Sequence, residues 1–242
     1  MKDKVVVISG ASRGLGKTLA LAFAEQGSSL GVCTRDKARL SSLEQQLKKL
    51  NCPHVAQIVD ISNDEAVNKF IQSIASTFGR IDVLINNASL LGPRIDIASY
   101  PTHAWDEVMS VNINGAFYLI KHTLKIMLAQ NEGSIINVTS SVGRAGRRKW
   151  GAYSASKFAL EGLTEVLSDE LRDTGIRVNS VNPGPIATDM RREAYPKEDQ
   201  SKLKKPEEIL DVFFYLASDE SKSISGQKFD AQSFHNFSVK VN

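Results

Sequence analysis

Val5-Val6-Val7-Ile8-Ser9-Gly10-Ala11-Ser12-Arg13-Gly14-Leu15-Gly16 is the stretch from which the fold is read. Its four β-branched residues predict a short strand buried on both faces, far too brief for a membrane span or a signal segment. The glycines come next, and Leu15 to Gln26 then carry apolar residues at three- and four-residue spacing, so a strand, a tight turn and a helix are expected in that order. Without side chains at Gly10, Gly14 and Gly16 the backbone can turn sharply and approach a pyrophosphate, held by N–H groups and the partial positive charge of the helix start. A glycine triplet alone also suits a plain strand-to-helix turn, so the rest of the chain has to decide.

The same alternation continues. Apolar runs at Ser29 to Thr34, His54 to Val59, Val83 to Asn86, Ser134 to Val138 and Arg177 to Val181 alternate with helical spacing at Lys37 to Leu50, Asp64 to Phe78, Trp105 to Ala129, Ser154 to Asp173 and Glu207 to Leu216. Fully apolar strands joined by helices predict an α/β fold: one doubly wound, Rossmann-type parallel sheet of about seven strands with helices on both faces and right-handed crossovers. A ligand is then expected at the carboxyl ends of the strands. Asn51 to Pro53 and Leu90 to Pro101 read as loops and neither divides the chain, so residues 1–242 are expected to form one domain.

Composition is compatible with an enzyme and excludes little else. The 242 residues are 42% hydrophobic and 24% charged, unlike a disordered or membrane chain. A formal charge of +3, with an isoelectric point near 8.8, is too mild to argue for nucleic acid. Two cysteines, Cys33 and Cys52, imply no disulfide framework and suit a reducing compartment, so a cytoplasmic protein with no membrane partner is expected. No metal ligand set is expected.

Tyr153 and Lys157 stand four residues apart in Tyr-Ser-Ala-Ser-Lys, hence one turn apart on one helix face, and Ser140 precedes the tyrosine by thirteen residues. A phenol with a pKa near 10 needs help to exchange protons around neutrality. An ammonium beside it favours the phenolate; a shift of about three units corresponds to roughly 4 kcal/mol, and burial pushes the other way. Ser140 can donate to a substrate oxygen on which negative charge grows. Thr139 and Ser141 flank it and leave an off-by-one assignment open. Taken singly, these could be a core tyrosine, a surface lysine and a helix cap.

The glycine turn, Asp60-Ile61 after the third strand, Asn86-Asn87-Ala88 ending the fourth, Ser140 with Tyr153 and Lys157, and Pro183-Gly184 with Thr188 after the sixth together resemble the short-chain dehydrogenase/reductase family. The likeness runs from Lys4 to about Gln232. It implies that Ser12, Leu15, Asn87 and Ala88 border the dinucleotide, that Asp60 and Ile61 hold its adenine, and that Pro183, Gly184, Ile186 and Thr188 hold its nicotinamide end. It implies that Lys157 also binds the nicotinamide ribose, beside Tyr153, and that Asn112 of Val111-Asn112-Ile113 holds a water in a proton relay. Ser89 stands where the family has glycine, a change expected to be tolerated.

The cofactor is argued from charge. Thr34 stands where the family's NAD enzymes carry a ribose-binding acid, and Arg35 follows it, with Arg13 in the glycine turn facing the same space. Two guanidinium groups suit a 2′-phosphate, which favours NADPH/NADP+ over NAD(H). Both could instead be surface arginines, with Asp36 pairing Arg35. The expected reaction is hydride transfer between nicotinamide and a carbonyl or secondary alcohol, in a homo-oligomer, dimer or tetramer, formed through the Trp105 and Ser154 helices and the C-terminal strand. A non-catalytic NADP(H)-binding redox sensor is the alternative, since fold alone does not exclude it.

The substrate side is less specific. A short lid, residues 188–206, is expected to leave the pocket more open than the family's two-helix flap. The Phe229-Asp230-Ala231-Gln232 ending resembles a bacterial subgroup and specifies no substrate. Arg144, Arg147, Arg148 and Lys149, with Arg191, Arg192, Lys202, Lys204 and Lys205, border the expected mouth. They could steer an anionic substrate such as an acyl thioester, or form a solvated rim diluted by Glu193, Glu198 and Asp199. Asn131 and Thr174 replace the arginines with which family members take acyl carrier protein, which counts against that substrate. The His235 to Asn242 tail could cover a neighbouring subunit's pocket.

Overall fold

The computed structural model describes residues 1–235, so all but the first residue of the tail just named lies outside the described residues. Seven strands form one parallel sheet in the order β3-β2-β1-β4-β5-β6-β7. They are β1 (Val5–Ser9), β2 (Ser29–Thr34), β3 (His54–Ile58), β4 (Val83–Asn86), β5 (Gly133–Val138), β6 (Ile176–Asn182) and β7 (Lys228–Asp230). The connecting helices are α1 (Gly14–Glu25), α2 (Lys37–Lys49), α3 (Asp64–Phe78), α4 (Thr102–Met109), α5 (Gly115–Gln130), α6 (Gly151–Glu170), α7 (Asp189–Ala194) and α8 (Asp211–Ala217).

Strand alternation divides the apolar residues between two layers. Val6 and Ile8 of β1 pack into one core with Leu19 and Phe23 of α1 and Phe213 and Leu216 of α8. Val5 and Val7 face the opposite way, against Phe70 and Ile74 of α3 and Leu119 and Ile120 of α5. Both faces of β1 are therefore covered, which is why its sequence is apolar throughout. The order reverses between β1 and β4, so a crevice opens beyond their carboxyl ends, where a doubly wound sheet receives its ligand.

The long helix expected over Trp105 to Ala129 is not continuous. A π-helical turn, Ser110–Asn114, separates α4 from α5. Such turns widen a helix by one residue and re-aim a side chain, and this one contains Asn112. The periodicity on either side hides the extra residue. Glu207 to Leu216 likewise divides into a 3₁₀ turn, Pro206–Ile209, and α8.

Candidate active site

Gly10 closes β1 with φ of +66°, and a Cβ there would meet Ala88 Cα at 2.8 Å. The turn after β1 and the turn after β4 thus touch backbone to backbone. Asn87 stitches them, its Nδ2 donating to Ser9 O at 3.0 Å and to Gly10 O at 3.2 Å. The start of α1 has no side-chain cap and no acidic residue in its first turn, leaving its N–H groups for a ligand.

A cavity of about 900 Å³ opens on this crevice. Its wall begins with Gly10, Ser12, Arg13, Gly14, Leu15 and Gly16 and continues through Thr34 and Arg35, then Asp60 and Ile61, then Asn87 and Ala88. Pro183, Gly184, Ile186 and Thr188 also line it, Thr188 lying close to Gly14, and so do Ser140, Tyr153 and Lys157. Asn112 is the exception. It does not line the cavity: 1% exposed, it braces the site from behind, accepting from Leu90 N at 2.7 Å and donating to Leu90 O at 2.9 Å and to Ser156 Oγ at 3.0 Å.

At the end of β2, Ser12 Oγ and Thr34 Oγ1 share a hydrogen bond of 2.8 Å. Asp36 does not take up Arg35. It caps α2 through Arg39 N at 3.0 Å and pairs with the Arg39 side chain at 3.2 Å, while Arg35 makes a long pair with the exposed Glu107 at 3.9 Å and acts on Asp60 through its charge. Arg39 also lines the cavity and joins Arg13 and Arg35 there. The sequence signal for it was its place one turn beyond Arg35.

Ser140 follows the end of β5 by two residues and caps the 3₁₀ turn Ser141–Gly143. That turn lies directly on α6, because a Cβ on Gly143 would meet Lys157 Cβ at 2.7 Å. The glycine therefore sets how near Ser140 comes to the Tyr153–Lys157 face. Lys157 Nζ donates to Val138 O at 2.8 Å and lies 5.5 Å from the centroid of the Tyr153 ring.

Burial dominates the acidity of both groups. It raises the Tyr153 pKa to about 12, against the influence of the neighbouring Ser89 and Ser140 hydroxyls. It lowers that of Lys157 to about 8, and Glu161 opposes this. Burial thus pushes away from the phenolate, as the sequence reading has it, and in the protein by itself Tyr153 is a neutral phenol at neutral pH. A neutral phenol is the form that donates a proton.

Several residues around the site were not legible in the sequence. Glu161, one turn beyond Lys157, is 3% exposed and accepts from Thr139 at 2.8 Å, Arg144 at 2.9 Å and Ser180 at 2.6 Å. Arg144 is consequently not a rim residue: it points inward to Glu161 and also pairs with Asp230 at 3.1 Å. The C-terminal motif braces the same region. Asp230 accepts from Asn182 at 2.6 Å, and Gln232 Nε2 donates to Pro183 O at 2.9 Å and Pro185 O at 3.2 Å.

Residues 188–206, expected to leave the pocket open, pack against the site through Met190, Ala194 and Tyr195. Tyr195 lies 5.9 Å from Trp150, which lies 5.6 Å from Tyr153. The Arg94 guanidinium sits 4.6 Å from the ring centroids of both Trp150 and Tyr195 and donates to Ala194 O; that of Arg191 sits 3.9 Å over Tyr195. With Leu91, Val142, Met190 and Ala194 these rings make an apolar cluster beside Tyr153. Arg148 is paired with Asp96, Arg191 with Glu198 and Arg192 with Asp189.

A doubly wound sheet with a glycine turn, a serine and a Tyr-x-x-x-Lys helix around one crevice defines a dinucleotide-dependent oxidoreductase. Residues 4–199 match the family model for short chain dehydrogenases, and the chain belongs to that family. The uncharacterized oxidoreductase YciK of Escherichia coli K12 is 36% identical over 235 residues, 96% of this chain and 93% of that protein. The 3-oxoacyl-acyl-carrier-protein reductase FabG of Thermotoga maritima is 33% identical over 235 residues, 94% of this chain and 95% of that one. The crystal structure of an Escherichia coli CFT073 protein described as a short chain dehydrogenase, complexed with NADPH, has a TM-score of 0.91 at 36% identity, covering 96% of this chain and 98% of that chain.

Proposed function

We propose that this chain is an NADP(H)-dependent reductase of carbonyl compounds. The observation that carries the reading is the convergence of Ser140, Tyr153 and Lys157 on one cavity whose other end holds Arg13, Arg35 and Arg39. The cavity fits a dinucleotide: the α1 N-terminus is uncapped for a pyrophosphate, and no carboxylate stands at Thr34 to repel a 2′-phosphate. Similarity to a protein complexed with NADPH supports the same choice. When bound, the cofactor supplies the hydride.

In this reading Ser140 orients the substrate oxygen by donating to it, and Tyr153 Oη gives that oxygen its proton. Lys157 holds the ribose and, through its charge, the phenol. Asn112 positions the Leu90 backbone at the rim. Residues 188–206 act as the substrate lid, closing an apolar wall of Leu91, Val142, Trp150 and Tyr195 over the carbonyl. Such a wall suits an uncharged, apolar substrate, and the paired rim arginines supply little steering. Asn131 and Thr174 are committed to capping, Asn131 accepting from Gly175 N at 3.2 Å and Thr174 donating to Leu171 O at 2.7 Å, which speaks further against an acyl carrier protein as partner. A homo-oligomer in a reducing compartment completes the proposal, the latter supported by the unpaired Cys33 and Cys52.

The test is NADPH and NADH oxidation by the purified protein across aldehydes, ketones, diketones and 3-oxoacyl thioesters, with Tyr153→Phe alongside. NADPH-dependent turnover of an apolar carbonyl, reduced at least about 100-fold by the substitution, is expected. NADPH binding without Tyr153-dependent turnover of any carbonyl would overturn the proposal in favour of a sensor.

A further inference from the structure

Ser89 follows Asn86-Asn87-Ala88 at the point where the sheet order reverses, and the chain is pinned on both sides of it. Ala88 N donates to Ser9 Oγ at 3.1 Å, while Leu90 is held at N and O by Asn112. Between these anchors the Ser89 backbone has little freedom. Ser89 lines the cavity with Ser140 and Tyr153, yet its Oγ is sealed from solvent and completes no hydrogen bond. A buried hydroxyl left without a partner destabilises the fold, because it has given up its water and gained nothing. Glycine at this position would avoid that cost. Ser89 is nevertheless near enough to the Tyr153 phenol to favour its ionised form, and its influence there exceeds that of Ser140.

We propose that Ser89 is a positioning residue for proton transfer: its hydroxyl turns to the Tyr153 phenol oxygen and donates a hydrogen bond to it as that oxygen gives up its proton. This rests on Tyr153 being the proton donor of the proposed function. In the step the Tyr153 O–H bond breaks and the proton passes to the alkoxide oxygen of the reduced substrate. The electron pair left on Tyr153 Oη accepts from Ser89, which keeps its own proton. Ser140 serves the substrate oxygen; Ser89 serves the phenol.

Other charged groups line the same cavity or stack on its aromatic wall. Lys157 lies on the helix of Tyr153, Arg147 on the preceding loop, Asp189 and Arg191 on the lid, and Arg94 behind Trp150. All of them are retained when only Ser89 is changed, so a difference between Ser89 variants reports on the hydroxyl.

The experiment is a pH titration of the ultraviolet phenolate absorbance, with and without NADP+, of the wild type, Ser89→Ala and Ser89→Thr. Each is read against the same protein carrying Tyr153→Phe, with circular dichroism as the check on folding. Ser89→Ala is expected to raise the half-ionisation pH of Tyr153 by about one unit, and Ser89→Thr to restore it. An alanine curve that overlays the wild type up to the onset of unfolding overturns the proposal, and so does an equal shift in both variants, which would mark altered packing. NADPH oxidation by diacetyl, used as a probe carbonyl, separates the two readings. If Tyr153→Phe leaves that rate unchanged, the proton-transfer role falls with the proposed function, while the titration still decides whether Ser89 touches the phenol.

Discussion

Lys157 is the residue whose burial has the clearest thermodynamic consequence. Its folded pKa of about 8 lies below the ordinary value of 10.5. Below pH 8 the lysine is protonated folded and unfolded, and the fold bears the whole penalty of burying the charge. Between pH 8 and 10.5 the unfolded chain keeps a proton that the folded chain has lost, so stability rises with pH. Relative to Lys157→Met, which lacks this linkage, the wild type should gain about 3 kcal/mol across that window, measured by urea unfolding of the cofactor-free protein. A constant difference would show that the lysine is solvated. At the other end of the cavity, Arg35→Ala should weaken NADPH binding at least about tenfold and leave NADH binding nearly unchanged, as titration calorimetry would measure. Equal losses for both cofactors would place Arg35 away from the 2′-phosphate.

At the scale of elements, the π-helical turn and the lid determine how well the site is held. Asn112 satisfies both backbone groups of Leu90 from inside that turn, so Asn112→Leu leaves a buried N–H and C=O unpaired. A loss of about 2–4 kcal/mol in urea unfolding is expected. An effect below about 0.5 kcal/mol would mean that Leu90 finds other partners. Residues 188–206 are held to the site by aromatic and guanidinium stacking, and a bridge joins Ile186 and Lys204. Tyr195→Ala removes the ring shared by Arg94, Arg191 and Trp150. It should raise KM for an apolar carbonyl about tenfold while leaving NADPH affinity unchanged, which steady-state kinetics and calorimetry together would check.

For the whole molecule, α5 and α6 carry apolar side chains that face outward. Phe117, Leu128, Phe158 and Val166 are about half exposed on these helices. Light scattering is expected to show a dimer or tetramer, and Phe117→Glu with Phe158→Glu to lower its mass; an unchanged mass would move the interface elsewhere. The thiols report on global opening. Burial pushes Cys33 to about 12 and Cys52 to about 11, so neither should be alkylated in the native protein at pH 8, whereas both should react in urea.

Sequence alone determined the features whose causes are local. Strand and helix periods, the glycine turn and the Ser140, Tyr153 and Lys157 spacing are properties of neighbouring residues, and they led to the parallel sheet and to the residues lining one cavity. Tertiary structure decided what depends on residues far apart in the chain. Asn112 is marked by its motif, but its hydrogen bonds to the Leu90 backbone come from a π-helical turn that the periodicity hides. Arg144 looked like a rim charge and is buried against Glu161 and Asp230, because β7 returns beside β6. The neutral phenol of Tyr153 follows from desolvation, whose extent no spacing records: the cost of a charge is set by everything packed around it.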